Sequence, residues 1–350
     1  MKMSVLESKT EMKEWARLLD KPMQKAVLRC QPADFQVDEV LGFEPSGEGE
    51  HWFLQLEKTA LNSDEVAKRV ADLAQVKLMD VGYSGLKDRN AITRQWFSVY
   101  LPGKSAPDWQ SLNSENVSVL QVTQHSKKLR RGVHKANRFE ITLREFEGDF
   151  NELKNRLGFL QKNGFANYFG EQRFGHGGRN IDRALALFER RLRKVSRAKK
   201  SIYLSAARSW LFNCVLSERI KQGRWDQLQQ GDVVMLHGSH SIFAIETVDE
   251  LLQQRLAEGD IHLTGPMWGK GCSKLGEEAY AWEKACIVSE PPLTVGLEAA
   301  GMKMERRPLR VFIKGVELMA LEAGVVRLAF ELPTGSYATS LLRELLNYRQ

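Results

Sequence analysis

Cysteine is scarce and scattered in this chain: Cys30, Cys214, Cys272 and Cys286 form no CxxC pair and have no histidine ladder beside them. That excludes a recognisable zinc-binding pattern and a disulfide framework, and it reads as a set of reduced, mostly buried thiols. Long apolar runs are missing too. The opening "MKMSVLESKTEMKEW" is charged throughout, which implies a protein with no membrane segment that stays in the cytoplasm. No P-loop, dinucleotide fingerprint, HExxH or Ser/His/Asp arrangement occurs, and the histidines (His125, His134, His176, His237, His240 and His262 among them) are dispersed. The expectation is chemistry with no cofactor and no metal. Repeats and low-complexity tracts are absent as well, which leaves an ordinary globular protein.

What is present is a chain of 350 residues, 43% hydrophobic and 27% charged, enough for two domains. Lysine and arginine number 51 against 44 acids, giving a net charge of +7 and favouring a polyanionic partner.

Along the chain, residues 27–56 read as short extended segments around the turn-rich "PSGEGEH", and a helix capped by Asn62 or Ser63 follows. Strands are expected at Gln95–Leu101, Val117–Thr123 and Arg138–Phe146; in the last, Phe139, Ile141 and Leu143 alternate with polar residues. Helices are then expected over Phe150–Asn163, Ile181–Lys194, Leu204–Gln222, Val248–Glu258 with Thr247 and Glu250 as a capping box, and Glu277–Val288, with a short strand at Val233–His237. Strand grammar returns near Pro308, ends in "VVRLAFELP", and is closed by a helix over Thr339–Tyr348. Sheet, helices, sheet: this order describes an α+β protein in which a mainly helical domain interrupts a sheet domain.

The segment "GYSGLKDRNAITRQWFSVYLP" sets one acid, Asp88, between Lys87 and Arg89. Flanking cations favour the ionised carboxylate, which suits a nucleophile and disfavours a general acid. The competing reading is a surface turn in which Asp88 simply pairs with Lys87 or Arg89. "HSKKLRRGVHKANRF" crowds basic residues into a turn and then presents Asn137 and Phe139, a combination that holds phosphate by charge while a ring stacks on an unpaired base and an amide reads its edge. A solvated hairpin loop fits equally well. "RRLRKVSRAKK" (190–200) reads as a basic helix end that tracks a phosphate backbone, or as an ordinary solvated one. "NYFGEQRFGHGGRN" (167–180) reads as the junction between the domains, with Arg173 placed for phosphate and His176 structural. In "LPTGSYATSLLRELL", Gly335 and Ser336 turn the chain from strand to helix and leave Tyr337 at the corner, facing the Asp88 pocket or packed in the core.

"GLKDRNAITRQ", "NYFGEQRFG", "LSAARSWLFN", "LPTGSYATS" and "LRCQPADFQVDE" together resemble the signatures of the TruD family of tRNA pseudouridine synthases, from about residue 28 to residue 345. The resemblance implies a pseudouridine-synthase-type catalytic domain, with a mixed, largely antiparallel sheet flanked by helices, in residues 1–160 and 311–350. It implies an inserted TRUD domain, a mainly helical α/β unit, in 161–310. It implies isomerisation of a uridine in tRNA, position 13 by the family's habit; the chain itself reads as self-sufficient, which favours a monomer. By the same resemblance Asp88 is the nucleophile, Arg29 its basic partner, Phe139 the ring that stacks on the base, and Phe35, Asn137 and Tyr337 substrate contacts. Two positions depart from the family pattern, which often has lysine at the Arg29 position and phenylalanine at the Tyr337 position. The alternatives are a noncatalytic RNA-binding protein or RNA chaperone, which needs the basic loops but not Asp88, and a base-excising glycosidase, which needs a second carboxylate.

Overall fold

The computed structural model of the protein describes residues 10–192, 194–239, 241–271 and 274–349. In chain order it contains β1 (Lys25–Val27), β2 (Phe35–Val40), β3 (His51–Thr59), α1 (Ser63–Ala74), β4 (Val81–Tyr83), β5 (Ile92–Tyr100), β6 (Val117–His125), β7 (Ala136–Glu147) and α2 (Phe150–Asn163). There follow β8 (Phe165–Ala166), α3 (Arg179–Phe188), α4 (Arg197–Lys221), β9 (Val233–Leu236), β10 (Ile242–Ala244), α5 (Glu250–Glu258), β11 (Ile261–Met267), α6 (Glu277–Cys286), α7 (Pro291–Ala299), β12 (Glu305–Pro308) and β13 (Arg310–Val311). The chain ends with β14 (Lys314–Glu322), β15 (Val325–Pro333), α8 (Ala338–Leu345) and β16 (Asn347–Arg349).

Contacts divide the chain into two units. One comprises Pro22–Lys162, Ile313–Ala338 and Leu345 onward; the other comprises the described part of Met1–Lys21, Asn163–Phe312 and Thr339–Glu344. The segment 167–180, read above as a junction, lies wholly within the second.

The first unit is built on a sheet in the order β14-β15-β7-β2-β5-β3-β6, with β4 added to β5 and β1 bridging β7 and β16. All pairs are antiparallel except β2 with β5 and β1 with β16. Alternation works as the sequence predicts: in β7, Phe139, Ile141 and Leu143 are buried while their neighbours are not. One core lies between this sheet and α1, where Leu54, Leu56, Phe97 and Val99 meet Val66 and Val70. Helix α1 starts as expected, with a capping box between Asn62 and Glu65.

The second unit carries the sheet β10-β9-β11-β12, the separate pair β8–β13 and the helices α3 to α7. Its long helix α4 buries Trp210, Leu211, Phe212 and Asn213. Three sequence signatures meet there: the Asn213 amide bonds both the N–H and the carbonyl of Phe169 at 3.0 Å, and Ser340 Oγ donates to the Tyr168 carbonyl at 2.7 Å. Arg173 donates to Ser205 Oγ at 3.1 Å within the same unit.

Several expectations need correction. The helix expected over Ile181–Lys194 stops at Phe188, where Arg190 takes the left-handed φ of +57°, so the basic run 190–200 is not a helix end; it links two helices, and its last residues open α4. Residue 193 of that run lies outside the described residues. The cap of α5 is Asp249, which accepts from Leu252 N at 2.7 Å, and not Thr247. The last helix ends at Leu345 because Asn347–Arg349 pairs in parallel with β1. Of the described cysteines, Cys214 is buried, Cys286 intermediate and Cys30 exposed in the turn before Pro32; Cys272 and His240 lie outside the described residues.

Candidate active site

The site is built on two turns of the first unit. Arg29 follows β1 with φ +59°, a left-handed backbone that residues other than glycine seldom adopt. From this bend its guanidinium lies over the Phe35 ring, 4.1 Å from the centroid, and Nη2 donates to Asp88 Oδ2 at 2.8 Å. The Arg29 side chain is 11% exposed and that of Asp88 40%, so the guanidinium is largely enclosed while the carboxylate stays open. Asp88 therefore has a cation on it that is remote in sequence.

The neighbours in sequence do something else. Lys87 Nζ reaches Glu39 at 2.8 Å in a nearly solvent-free ion pair, and the other Glu39 oxygen accepts from Trp96 N at 3.2 Å. Lys87 N donates to Ser63 Oγ at 3.0 Å, and that hydroxyl donates to Gln95 at 2.8 Å. Arg89 Nε donates to the Ala60 carbonyl at 3.1 Å. Lys58 Nζ, from the inward-facing row of β3, donates to the Asp88 carbonyl at 2.8 Å. Burial lowers Lys58 from its ordinary 10.5 to about 8, against the pull of the Asp88 charge. The 84–91 turn is thus pinned by α1, β2, β3 and β5, and the reading in which Asp88 pairs with Lys87 or Arg89 is set aside.

Strand register places the aromatic residues on the same sheet face. Lys58 opposes Thr93, Thr93 lies beside Val37, Val37 opposes Phe139, and Phe139 opposes Phe330. Phe139 meets Phe35 edge-to-face at 6.1 Å and stacks on Phe330 at 5.2 Å, retaining 8% exposure. Asn137, two residues earlier and on the same face, opposes Glu39 and Leu332. Its Nδ2 lies 3.2 Å from His134 Nε2, while its Oδ1 is buried with no hydrogen-bond partner among the described residues. Burial, helped by Lys87, keeps His134 below the usual histidine range, so its ring is a neutral acceptor.

The structure thus links Asp88, Arg29, Phe35 and Phe139 through successive contacts and sets Asn137 beside them. Tyr337 is half-buried at the corner after β15. The turn before it is fixed by Thr334, whose N–H donates to the Lys135 carbonyl at 3.1 Å and whose hydroxyl donates to the His134 carbonyl, next to Asn137. Sequence reasoning missed Lys58, Glu39, Ser63 and Gln95, and read Lys87 as a partner of Asp88 when it anchors the turn. Lys58 had a signal: it is a lysine in the apolar row Leu54, Leu56, Lys58. Among the described residues no group of three or more His, Cys, Asp or Glu side chains is arranged to hold a metal, and no helix is long and apolar enough to cross a membrane.

Comparison with known proteins bears on this arrangement. The model of the family "tRNA pseudouridine synthase D (TruD)" matches residues 16–186 and 178–345. The tRNA pseudouridine synthase D of Methylococcus capsulatus is 47% identical over 321 residues, 92% of this chain and 91% of that protein. That of Aeromonas hydrophila is 45% identical over 335 residues, 96% and 94% of the two chains. A solved structure from Methanosarcina mazei with the same family designation matches with a TM-score of 0.71 over 95% of both chains, at 19% identity, a likeness of fold.

Proposed function

The chain belongs to the tRNA pseudouridine synthase D (TruD) family, and from that premise we propose that Asp88 is the nucleophile that isomerises one uridine of tRNA, position 13, to pseudouridine. The observation that carries the assignment is the 2.8 Å bond from Arg29 to an otherwise open Asp88 carboxylate, beside the phenylalanine cluster.

The reaction breaks N1–C1′, joins C5 to C1′, releases the C5 proton to water and leaves a proton on N1. It changes no oxidation state and calls for no cofactor. The uridine must leave the RNA stack to be attacked. Phe139 backs the extruded base with the part of its ring that Phe35 and Phe330 leave open, and uracil N3–H supplies the donor that Asn137 Oδ1 lacks. Tyr337 closes the pocket beside Asn137. Phe35 acts one step back, by carrying the Arg29 guanidinium. Arg29 holds the attacking oxygen in place, and the pinned 84–91 turn means that this geometry is prepared before substrate arrives. Pro22–Lys162 with Ile313–Ala338 and the last residues is then the catalytic domain, and Asn163–Phe312 the inserted TRUD domain. The enzyme works in the cytoplasm as a monomer.

Unmodified tRNA labelled with tritium at uracil C5 tests the reading. Wild-type protein should release label to water with the base still attached to RNA. Asp88→Asn should abolish release while tRNA binding, measured by filter retention, persists. Undiminished release by Asp88→Asn sinks the nucleophile assignment; free uracil would indicate a glycosidase, and binding without release an RNA chaperone.

A further inference from the structure

A second concavity lies on the opposite face of the catalytic sheet. In β3 the register with β5 is regular from His51 to Thr59, so His51 and Phe53 point away from the face that carries Lys58. There they line a groove of about 640 Å³ with Phe43, His125, Lys127 and Arg130, large enough for one nucleotide with its phosphate.

Its chemistry is specific. The exposed Phe43 ring lies 5.3 Å from the His125 ring at an interplanar angle of 31°, and Phe53 makes a T-shaped contact with the same imidazole at 4.9 Å. Ser46 N donates to His125 Nδ1 at 3.1 Å, which leaves the ring proton on Nε2. Burial holds His51 and His125 below the usual histidine range, with Lys128 and Lys127 respectively adding to it, so both present neutral ring faces. The charge comes from Lys127 and Arg130, exposed at the groove, while Lys128 donates to the Met79 carbonyl. Neutral aromatic faces beside exposed cations recognise an unpaired base and the phosphate attached to it.

The groove is also connected to the active site. The 126–135 loop that supplies Lys127 and Arg130 continues to Gly132, whose N–H donates to the Ser84 carbonyl at 2.7 Å, at the start of the Asp88 turn. The loop ends at His134, against Asn137.

We propose that this groove binds a second unpaired nucleotide of the tRNA, its base on Phe43 and His125 and its phosphate on Lys127 and Arg130, and so fixes which uridine reaches Asp88. This rests on the synthase reading above. One such stacked base contributes about 1–3 kcal/mol, which converts to a factor of roughly five to a hundred or more in affinity.

Full-length Phe43→Ala, Phe43→Trp and Lys127→Ala/Arg130→Ala proteins, assayed for tritium release from unmodified tRNA, test it. Phe43→Ala should raise KM at least fivefold with kcat within about twofold of wild type, and Phe43→Trp should restore KM. Lys127→Ala/Arg130→Ala should raise KM and flatten the salt dependence of binding, whereas Phe43→Ala leaves that slope unchanged. Wild-type KM in both Phe43→Ala and Lys127→Ala/Arg130→Ala overturns the groove and leaves the synthase reading intact. Failure of wild-type protein to release label overturns the synthase reading, and the groove assignment with it.

Discussion

At the scale of single residues, Lys58 is the most informative side chain in the unit that carries Asp88. It is 1% exposed, yet it carries an amine whose one described hydrogen bond goes to the backbone of Asp88. Losing that bond removes about 1 kcal/mol of positioning, so Lys58→Met should lower kcat by roughly five- to tenfold with little change in KM. Its titration gives an independent readout. The folded chain holds the Lys58 proton less tightly than the unfolded chain, with a pKa near 8 against 10.5. The unfolded state therefore binds more protons between these values, and stability from this group rises as pH rises through that window. The urea midpoint of wild type relative to Lys58→Met should accordingly increase between pH 8 and pH 10, and a flat difference would show that the amine is not desolvated. The Arg29 position illustrates a limit of local reading. Nothing near Asp88 in sequence reveals that its cation lies 59 residues away; family resemblance supplies the pairing, and the left-handed turn at Arg29 explains it.

At the scale of elements, legibility followed locality. Helix α2 has the bounds that its spacing predicts, and α1 begins at its predicted cap, because helix signals are written within a few residues. Strands β5 and β7 begin earlier than predicted, at Ile92 and Ala136, since cross-strand partners rather than local pattern set their ends. Asn347 and Tyr348 of the final strand read as helix for the same reason: their partner β1 is more than 300 residues away. Helix α7 went unread although Pro291 and Pro292 open it, at positions where a missing N–H costs nothing. The Asp88 turn joins elements in the same non-local way, through Glu39 of β2. Glu39→Gln removes half of an ion pair whose lysine is only 7% exposed, and should cost about 3–5 kcal/mol by stranding that cation. Glu39→Leu/Lys87→Met should recover most of this stability, because a buried pair replaced by apolar groups is often neutral. It should not recover turnover, since the Asp88 turn has lost its tether. Thermal unfolding and tritium release on the same preparations separate the two effects; full activity in the double variant would mean that the pair serves stability alone.

At the scale of the whole molecule, the +7 net charge acts through its distribution. A pocket for uracil cannot tell one uridine from another, so choice among tRNA sites depends on shape and on phosphates met elsewhere on the protein. Basic grooves occur in both units: Lys127 and Arg130 in the one that carries Asp88, and in the other a groove of about 340 Å³ where Arg197, Lys200 and Arg208 lie beside Met267 and Met302. The second groove has no aromatic side chain among its lining residues, which suits backbone contact rather than base stacking. Each phosphate neutralised releases counterion equivalent to about 0.7–0.9 in the slope of log affinity against log salt. Arg197→Ala/Lys200→Ala should therefore weaken tRNA binding and reduce that slope by roughly 1–2, while single-turnover label release at saturating enzyme keeps its wild-type rate. Filter binding over about 50–200 mM salt measures the slope, and an unchanged slope would remove this face of α4 from the RNA path. A fall in the saturated rate would instead make the two cations part of how the uridine is delivered to the reacting centre, because a phosphate contact made equally before and during reaction alters affinity and leaves kcat alone.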